Sequence, residues 1–437
     1  MTGTRARLER YFEFQRLGTN WKTEILAGVT TFMTMAYIVF VNPSILHEAG
    51  MPLAAVTAAT CLSAAFGSIL MGAVARYPLA LAPGMGLNAY FTYSVVKGMG
   101  IPWQTALGAV FISGVSFLIL TLVGVRRLIV SAIPHELYAA VAAGVGLFIA
   151  LIGFRSSGII VPSAATTVAM GNLRDPHTAL AIFGLLFMAG LLAWGVRAAI
   201  LIGVLGTTVV GIFFGLVDWQ PQSYGLSDIG ATALQLDIRS ALRLGLLEIV
   251  FAFLFVDLFD NVGTLVAVGQ KAGLFDRAHQ IPRINRILLA DASATIAGSL
   301  AGTSTVVSYI ESSAGVAAGG RTGVTAIVTG LLFLAALWLA PLVGAIPAAA
   351  TAPALIIVGS MMMTTITEIR WTDSVVAIPA FLTMMAIPLT FSIANGLAFG
   401  FTAYTVLKVL RGQYREVNWL VYVLTLLFVV RFVYLGR

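Results

Sequence analysis

Charge is what this chain has least of. Of its 437 residues only 10% are Asp, Glu, Lys or Arg, against about a quarter in a typical soluble domain, and 59% are apolar. With a mean hydropathy of +0.97, no soluble domain of useful size fits between the apolar runs, so dividing length by a typical domain size would mislead. A single cysteine, Cys61, excludes an intramolecular disulfide, and its place in an apolar run makes it a small buried hydrophobe rather than a redox centre. The four histidines, His47, His135, His177 and His279, lie at loops or helix ends without metal-ligand spacing, so neither a metal site nor a cofactor is expected. No glycine-rich phosphate loop carries the lysine that direct use of ATP requires. A nucleophile, base and metal constellation for an intramembrane enzyme is also lacking. The net charge of +7 comes from basic residues scattered through short loops, a pattern of membrane topology and not of nucleic-acid binding.

What remains is a polytopic, all-α membrane protein. Apolar runs of roughly 17 to 22 residues can cross a hydrocarbon core of about 30 Å as helices. They lie near Ile25 to Val41, Leu53 to Val74, Trp103 to Val123, Leu137 to Ile152, Ala179 to Trp194, Ala198 to Leu216, Leu242 to Val266, Ile287 to Leu300, Val324 to Leu339, Ala348 to Met363, Val375 to Leu389 and Ile393 to Leu410. Two further segments, Pro78 to Val95 and Gly302 to Ala318, are too rich in Gly, Pro, Ser or Thr for ordinary spans. Each reads as a short extended piece followed by a half-helix, which brings the expected count to fourteen.

Basic residues orient these spans. Arg5, Arg7, Arg10, Arg16, Lys22, Arg76, Arg126, Arg127, Arg197, Lys271, Arg277, Arg283, Arg286, Arg321, Arg370, Lys408, Arg411 and Arg415 fall on one side. Lys97, Arg155, Arg174, Arg239 and Arg243 fall on the other. The positive-inside rule puts the heavier side, with the N-terminus, in the cytoplasm of a multi-pass cell-membrane protein. Met1 to Asn20 is polar and basic with no cleavage signature after the first run, so an uncleaved first span is expected. Trp419 to Tyr434, interrupted by Arg431, suits either a fifteenth span or an interfacial helix, and its aromatic residues favour the interface.

Cut near Gln222, the chain shows a weak repeat of seven spans on each side. The broken third span, with Ala82-Pro83-Gly84-Met85-Gly86-Leu87-Asn88, matches the broken tenth in order, and Ala132-Ile133-Pro134 matches Ala345-Ile346-Pro347. An odd span number inverts the second copy, and interrupted helices at matching positions point to a transporter with its site at the midplane. The expected divisions are a cytoplasmic N-terminus over 1–23, a first repeat over 24–217, an external connector over 218–239, an inverted second repeat over 240–411, and a tail over 412–437.

Three stretches carry chemistry. In Gly84-Met85-Gly86-Leu87-Asn88 the glycines admit close backbone approach, and the half-helix would begin inside the membrane with Asn88 able to donate and accept; glycine used for close helix packing is the other reading. On the eighth span Asp257, Asp260, Asn261 and Thr264 share one helical face. Two carboxylates three residues apart repel when both are ionised, which suits one to carry a proton, whereas an internal hydrogen-bond network would lock spans together. Glu311 opens the second half-helix, with Thr303, Ser304, Thr305 and Ser308 on the extended approach; it reads as a ligand acceptor or as a helix cap. An ionised side chain near the bilayer centre costs about 2.5 to 3.5 kcal/mol on the insertion scale, which favours a function for it. Asp291 reads as paired with a nearby base, and Met361-Met362-Met363 as packing filler.

At these stretches the sequence resembles the nucleobase/ascorbate transporter superfamily, and within it the AzgA-like adenine/guanine/hypoxanthine permeases. The likeness runs from Phe12-Glu13-Phe14 and Gly28-Val29-Thr30-Thr31-Phe32 through Ala82 to Tyr90 and Asp257 to Gly263, and on to Glu311-Ser312-Ser313-Ala314-Gly315 and Gly319-Gly320-Arg321-Thr322-Gly323. It implies two inverted seven-span repeats forming a core domain (spans one to four and eight to eleven) and a gate domain (spans five to seven and twelve to fourteen), often as a homodimer. It also implies proton-coupled purine uptake. By the same resemblance Asn88, Ala89, Asp257, Asn261, Tyr309 and Glu311 would bind the base, and Asp257, Asp260 and Glu311 would couple the proton. Ser312 stands where the uracil and xanthine branches carry Asn, which argues for purines. The alternative function is an anion channel or exchanger on the same fold, which the acidic lining opposes.

Overall fold

A computed structural model describes residues 2–124, 133–217, 226–243, 247–272 and 283–434. The cut near Gln222, part of the 218–239 connector, Arg126, Arg127, Arg277 and His279 lie outside the described residues, as does the side chain of Asp260.

Two short helices, α1 (Thr2–Tyr11) and α2 (Phe14–Leu17), precede the apolar runs. The first run is α3 (Trp21–Met35), opened by the Asn20 side chain accepting from the Thr23 N–H, and α4 (Ile38–His47), which resumes after a break at Ala36-Tyr37. Helix α5 (Leu53–Leu70) runs through a π-helical turn, Met71–Ala75, toward strand β1 (Leu81–Pro83). After Gly84, α6 (Met85–Ala89) continues as a π-helical stretch, Tyr90–Gly98. Helices α7 (Trp103–Leu122) and α8 (His135–Ser156) start behind Pro102 and Pro134, where a missing N–H is harmless. A hairpin of β2 (Ile160–Ser163) and β3 (Thr167–Met170) leads to α9 (Pro176–Ala193) and α10 (Ala199–Phe213). The all-α expectation misses this hairpin, which its β-branched Ile160-Val161 and Thr167-Val168 pairs favour.

The second half begins with α11 (Ile238–Ala241), α12 (Leu247–Ala272) and α13 (Ile284–Ala301). Strand β4 (Val306–Ser308) and α14 (Ser312–Ala317) follow, then α15 (Gly323–Ala335) and α16 (Ala340–Val343). Next come α17 (Ala348–Met362), behind Pro347, and α18 (Ser374–Thr390), α19 (Ile393–Leu410) and α20 (Trp419–Tyr434). Seven of the described helical segments are long and apolar enough to cross a membrane, and five shorter apolar helices accompany them. The chain is a multi-pass membrane protein.

The packing repeats itself in inverse. Helix α5 packs on α15 as α13 packs on α7; α9 packs on α10 as α18 packs on α19; and α9 packs on α17 as α18 packs on α8. At the axis of this symmetry β1 pairs antiparallel with β4, with Ala82 opposite Val307, and α8 lies against α17. Small residues set that last spacing: a Cβ on Gly359 would come within 2.4 Å of the Gly146 carbonyl.

The end of the molecule bearing the N-terminus is tied by buried acids. Glu24, fully buried, accepts from the Arg321 N–H at 2.9 Å, the Thr322 N–H at 3.3 Å, the Thr325 hydroxyl at 2.6 Å and the Thr19 hydroxyl at 2.8 Å. It thereby closes the start of α15 onto α3. Beside it, Glu13 bridges Arg16 at 2.5 Å, Arg283 at 3.2 Å and Arg76 at 3.4 Å. Glu13, Arg76 and Arg283 all hold left-handed backbone, with φ of 60°, 57° and 60°. Phe12 and Phe14 bury against Val324, so α1 and α2 are docked and not free.

At the other terminus, α20 packs on a neighbouring helix. It runs antiparallel along α19, with the Thr405 and Thr425 hydroxyls 2.8 Å apart and Phe428 buried against Phe401 and Phe251. A regular stripe, Val421, Leu424, Thr425 and Phe428, gives it a buried face on a neighbouring helix.

Replacing Glu24 by Ala strands two backbone N–H groups and two hydroxyls in a buried site. The expected loss is about 3 kcal/mol of stability, read as a lowered thermal-unfolding midpoint of the purified protein, and an unchanged midpoint would show that the clasp contributes nothing.

Candidate functional site

The site forms where the two extended segments cross. Beyond the β1–β4 ladder, Gly84 N–H donates to the Thr305 carbonyl at 2.9 Å and Tyr309 N–H to the Ala80 carbonyl at 3.0 Å. Side chains take the groups that the short strands leave over. The Ser68 hydroxyl receives Leu81 N–H at 2.9 Å and donates to the Leu81 carbonyl at 3.0 Å; the Ser312 hydroxyl receives Ala80 N–H at 3.0 Å; the Thr295 hydroxyl donates to the Val306 carbonyl at 2.9 Å. The Tyr309 hydroxyl donates to the Pro83 carbonyl. Both half-helices therefore start from a rigid backbone knot in which little is left unsatisfied.

Asn88, on the second turn of its half-helix, is fully buried. Its amide donates to Asn42 Oδ1 and accepts from the Ser304 hydroxyl. Asn42 in turn donates to the Thr60 and Thr303 hydroxyls at 2.7 and 3.1 Å. Ala89, at 1% exposure, adds no polar group.

Asp257 and Asn261 do share a helical face, and Thr264 is buried one turn on. The Asn261 amide donates to Asp257 Oδ1 at 2.6 Å and to Asp291 Oδ2 at 2.8 Å, while its carbonyl accepts from Ser308 N–H at 3.0 Å. One amide thus joins α12, α13 and the tenth-span strand. Asp291 is buried mid-helix and accepts from this amide. The Asp260 side chain lies outside the described residues.

Glu311 occupies the N-cap position of α14 yet makes no capping bond. Its carboxylate instead accepts from the Tyr37 hydroxyl at 2.9 Å. It is half-buried, whereas Asp257 and Asp291 are enclosed. Helix α14 has only six residues, less than two turns, so the dipole expected at its start is slight.

Tyr37 and Asn42 are the residues that sequence reasoning missed. Tyr37 sits at the break of the first span and faces the second half-helix, while Asn42, inside α4, faces the first. An amide in the run Val39-Phe40-Val41-Asn42 was a legible signal for Asn42, since polar groups at membrane depth rarely lack a role. Nothing local marks Tyr37 apart from other aromatic residues. Among the described residues no group of three His, Cys, Asp or Glu side chains could hold a metal ion.

Replacing Asn261 by Leu removes a three-way bridge and leaves two enclosed carboxylates without their shared donor. A loss of about 2 to 4 kcal/mol is expected, measured as a lower unfolding midpoint, with Asn261→Gln recovering part of it; equal stability of Asn261→Leu and the parent would contradict the bridge.

A model of a permease family matches residues 22–399. The chain is 46% identical to the guanine/hypoxanthine permease PbuG of Bacillus subtilis, over 98% of this chain and 100% of that one. It is 42% identical to the adenine permease AdeP of Escherichia coli, over 99% of this chain and 98% of that one. A putative permease of Methanocaldococcus jannaschii is 54% identical over 98% and 99%. Among solved structures, the transmembrane domain of the cyanobacterial bicarbonate transporter BicA superposes with a TM-score of 0.64 at 17% identity, covering 86% of this chain and 96% of that one. The inward-facing murine anion transporter Slc26a9 gives 0.66 at 11%, covering 90% and 69%. These two share the fold, and the sequence relatives share far more. The chain is a transporter and not an enzyme, and it belongs to the nucleobase/ascorbate permease family.

Proposed function

We propose that this chain imports purine nucleobases, adenine, guanine or hypoxanthine, across the cell membrane by proton symport. One observation carries the reading: two half-helices from opposite halves of the chain meet at a backbone knot that presents Asn88 from one side and Glu311 from the other. A purine offers ring N–H donors and ring nitrogen acceptors in one plane. Glu311 supplies acceptors, and the Asn88 amide, with one N–H and one lone pair beyond those used by Asn42 and Ser304, supplies either kind. Relatives named for adenine and for guanine/hypoxanthine, at 42% and 46% identity over nearly the whole chain, support that substrate class.

The carboxylates divide the work by exposure. Glu311, half-buried, meets the ligand; Asp257, bonded to Asn261, is enclosed and suits proton storage, together with Asp260. Protonation lowers the penalty of moving the site through the membrane. Fourteen crossings, the N-terminus in the cytoplasm, a core built on α3 to α7 and α12 to α15, and a gate built on α8 to α10 and α17 to α19 complete the proposal. The inverse packing of the two halves and the placement of basic residues support it. An anion would face Asp257, Asp291 and Glu311, so no second reading is favoured.

Ligand-induced stabilisation tests the site. At a hundredfold excess over Kd a bound ligand adds about 2.7 kcal/mol to stability, so adenine, guanine or hypoxanthine should raise the unfolding midpoint and uracil should not. Glu311→Gln should abolish most of the rise and Asp257→Asn should weaken it. A full rise in both variants, or a rise with uracil alone, would contradict the assignment.

A further inference from the structure

Phe391, in the turn between α18 and α19, brings the gate onto the continuation of the first half-helix. Its φ is +49°, in the left-handed region, where a bulky side chain persists only if its surroundings hold it. Three contacts do so. The Ser94 hydroxyl donates to the Phe391 carbonyl. The ring meets Phe148 of α8 edge-on, with centroids 5.6 Å apart and an interplanar angle of 85°. The Arg155 guanidinium, from the end of α8, lies 5.3 Å over the same ring. Ser94 belongs to the core, while Phe148, Arg155 and Phe391 belong to the gate.

The core side of this contact is stiff. Glu48, just past α4, accepts from Lys97 at 2.5 Å and from the Tyr93 hydroxyl at 3.0 Å, so the stretch carrying Ser94 is bound to the end of the first span. The second half-helix is in a different state. There Ile310 is 46% exposed, Ala317 is exposed and Glu311 is half-buried.

We propose that Phe391 is the latch of the outer gate: its ring, clamped between Phe148 and Arg155, and its carbonyl, bonded to Ser94, hold core against gate at the end toward which the first half-helix runs. The inference rests on the core-and-gate transport reading above. Opening outward must break the Ser94 bond and withdraw the ring, and the backbone strain at Phe391 lowers the barrier to release.

The test uses the fact that Cys61 is buried. In a Cys61→Ala background, Ser94→Cys is labelled from outside with a membrane-impermeant maleimide in proteoliposomes of fixed orientation. Adding Phe391→Ala removes the ring-edge and cation–π contacts and should speed labelling roughly tenfold. Arg155→Gln, a change at an exposed side chain that does not threaten folding, should give a smaller rise in the same direction. Unchanged labelling in both variants overturns the latch whether or not the protein carries adenine. Faster labelling in both, in a parent that shows no nucleobase flux, keeps the latch and removes the transport reading.

Discussion

Backbone that leaves a helix inside a bilayer has no water to turn to, so each exposed N–H and C=O must find a partner within the protein. Here two such segments, one from each half, satisfy one another. The three-residue ladder of β1 and β4, extended by Gly84 on Thr305 and by Tyr309 on Ala80, removes most of that burden, and Ser68, Thr295, Ser312 and Asn261 remove the rest. This mutual pairing brings two half-helices to one place and keeps them there. Without it neither would be stable, and the side chains they carry would have no fixed separation.

Around that knot the polar groups fall into two kinds. Asn42, Asn88, Thr60, Thr303 and Ser304 form a chain of short bonds joining α4, α5, α6 and the segment that leads to β4, and Asn261 joins α12, α13 and β4. These networks are enclosed, so they rigidify the site, and Asn88 keeps one N–H and one lone pair beyond them. Glu311 differs in being only half-buried, with the Tyr37 hydroxyl donating to its carboxylate. A carboxylate offers the acceptors that recognition of a ring N–H requires. Glu24 performs the structural counterpart at the N-terminal end, where four donors close on it and none of its function is ligand-facing.

Much of this was legible in the sequence because interruptions in apolar runs are rare and must be accounted for. Pro83-Gly84 and Gly302 to Ser308 announced the two broken spans, and the period of Asp257 and Asn261 placed them on one face. The two proline-led helices at Pro134 and Pro347 were recognisable as a pair and do pack together. What could not be read were partners brought from far away in the chain. Tyr37 and Glu311 lie 274 positions apart, and nothing in an aromatic residue near Met35-Ala36 says where its hydroxyl points. The amide that reaches Asp291 was hidden for the same reason, since it comes from another helix. The helix that the tail packs on was hidden likewise, since an amphipathic stripe fits a membrane surface and a neighbouring helix equally well.

The most direct test of the account is uptake of labelled adenine, guanine, hypoxanthine and uracil into proteoliposomes, with an inward proton gradient and with that gradient collapsed by a protonophore. The account predicts accumulation of at least one purine above the external concentration, its loss with the protonophore, and no accumulation of uracil. Purine that merely equilibrates, or accumulation indifferent to the protonophore, would contradict proton symport, and a failure to move any purine would contradict the site itself.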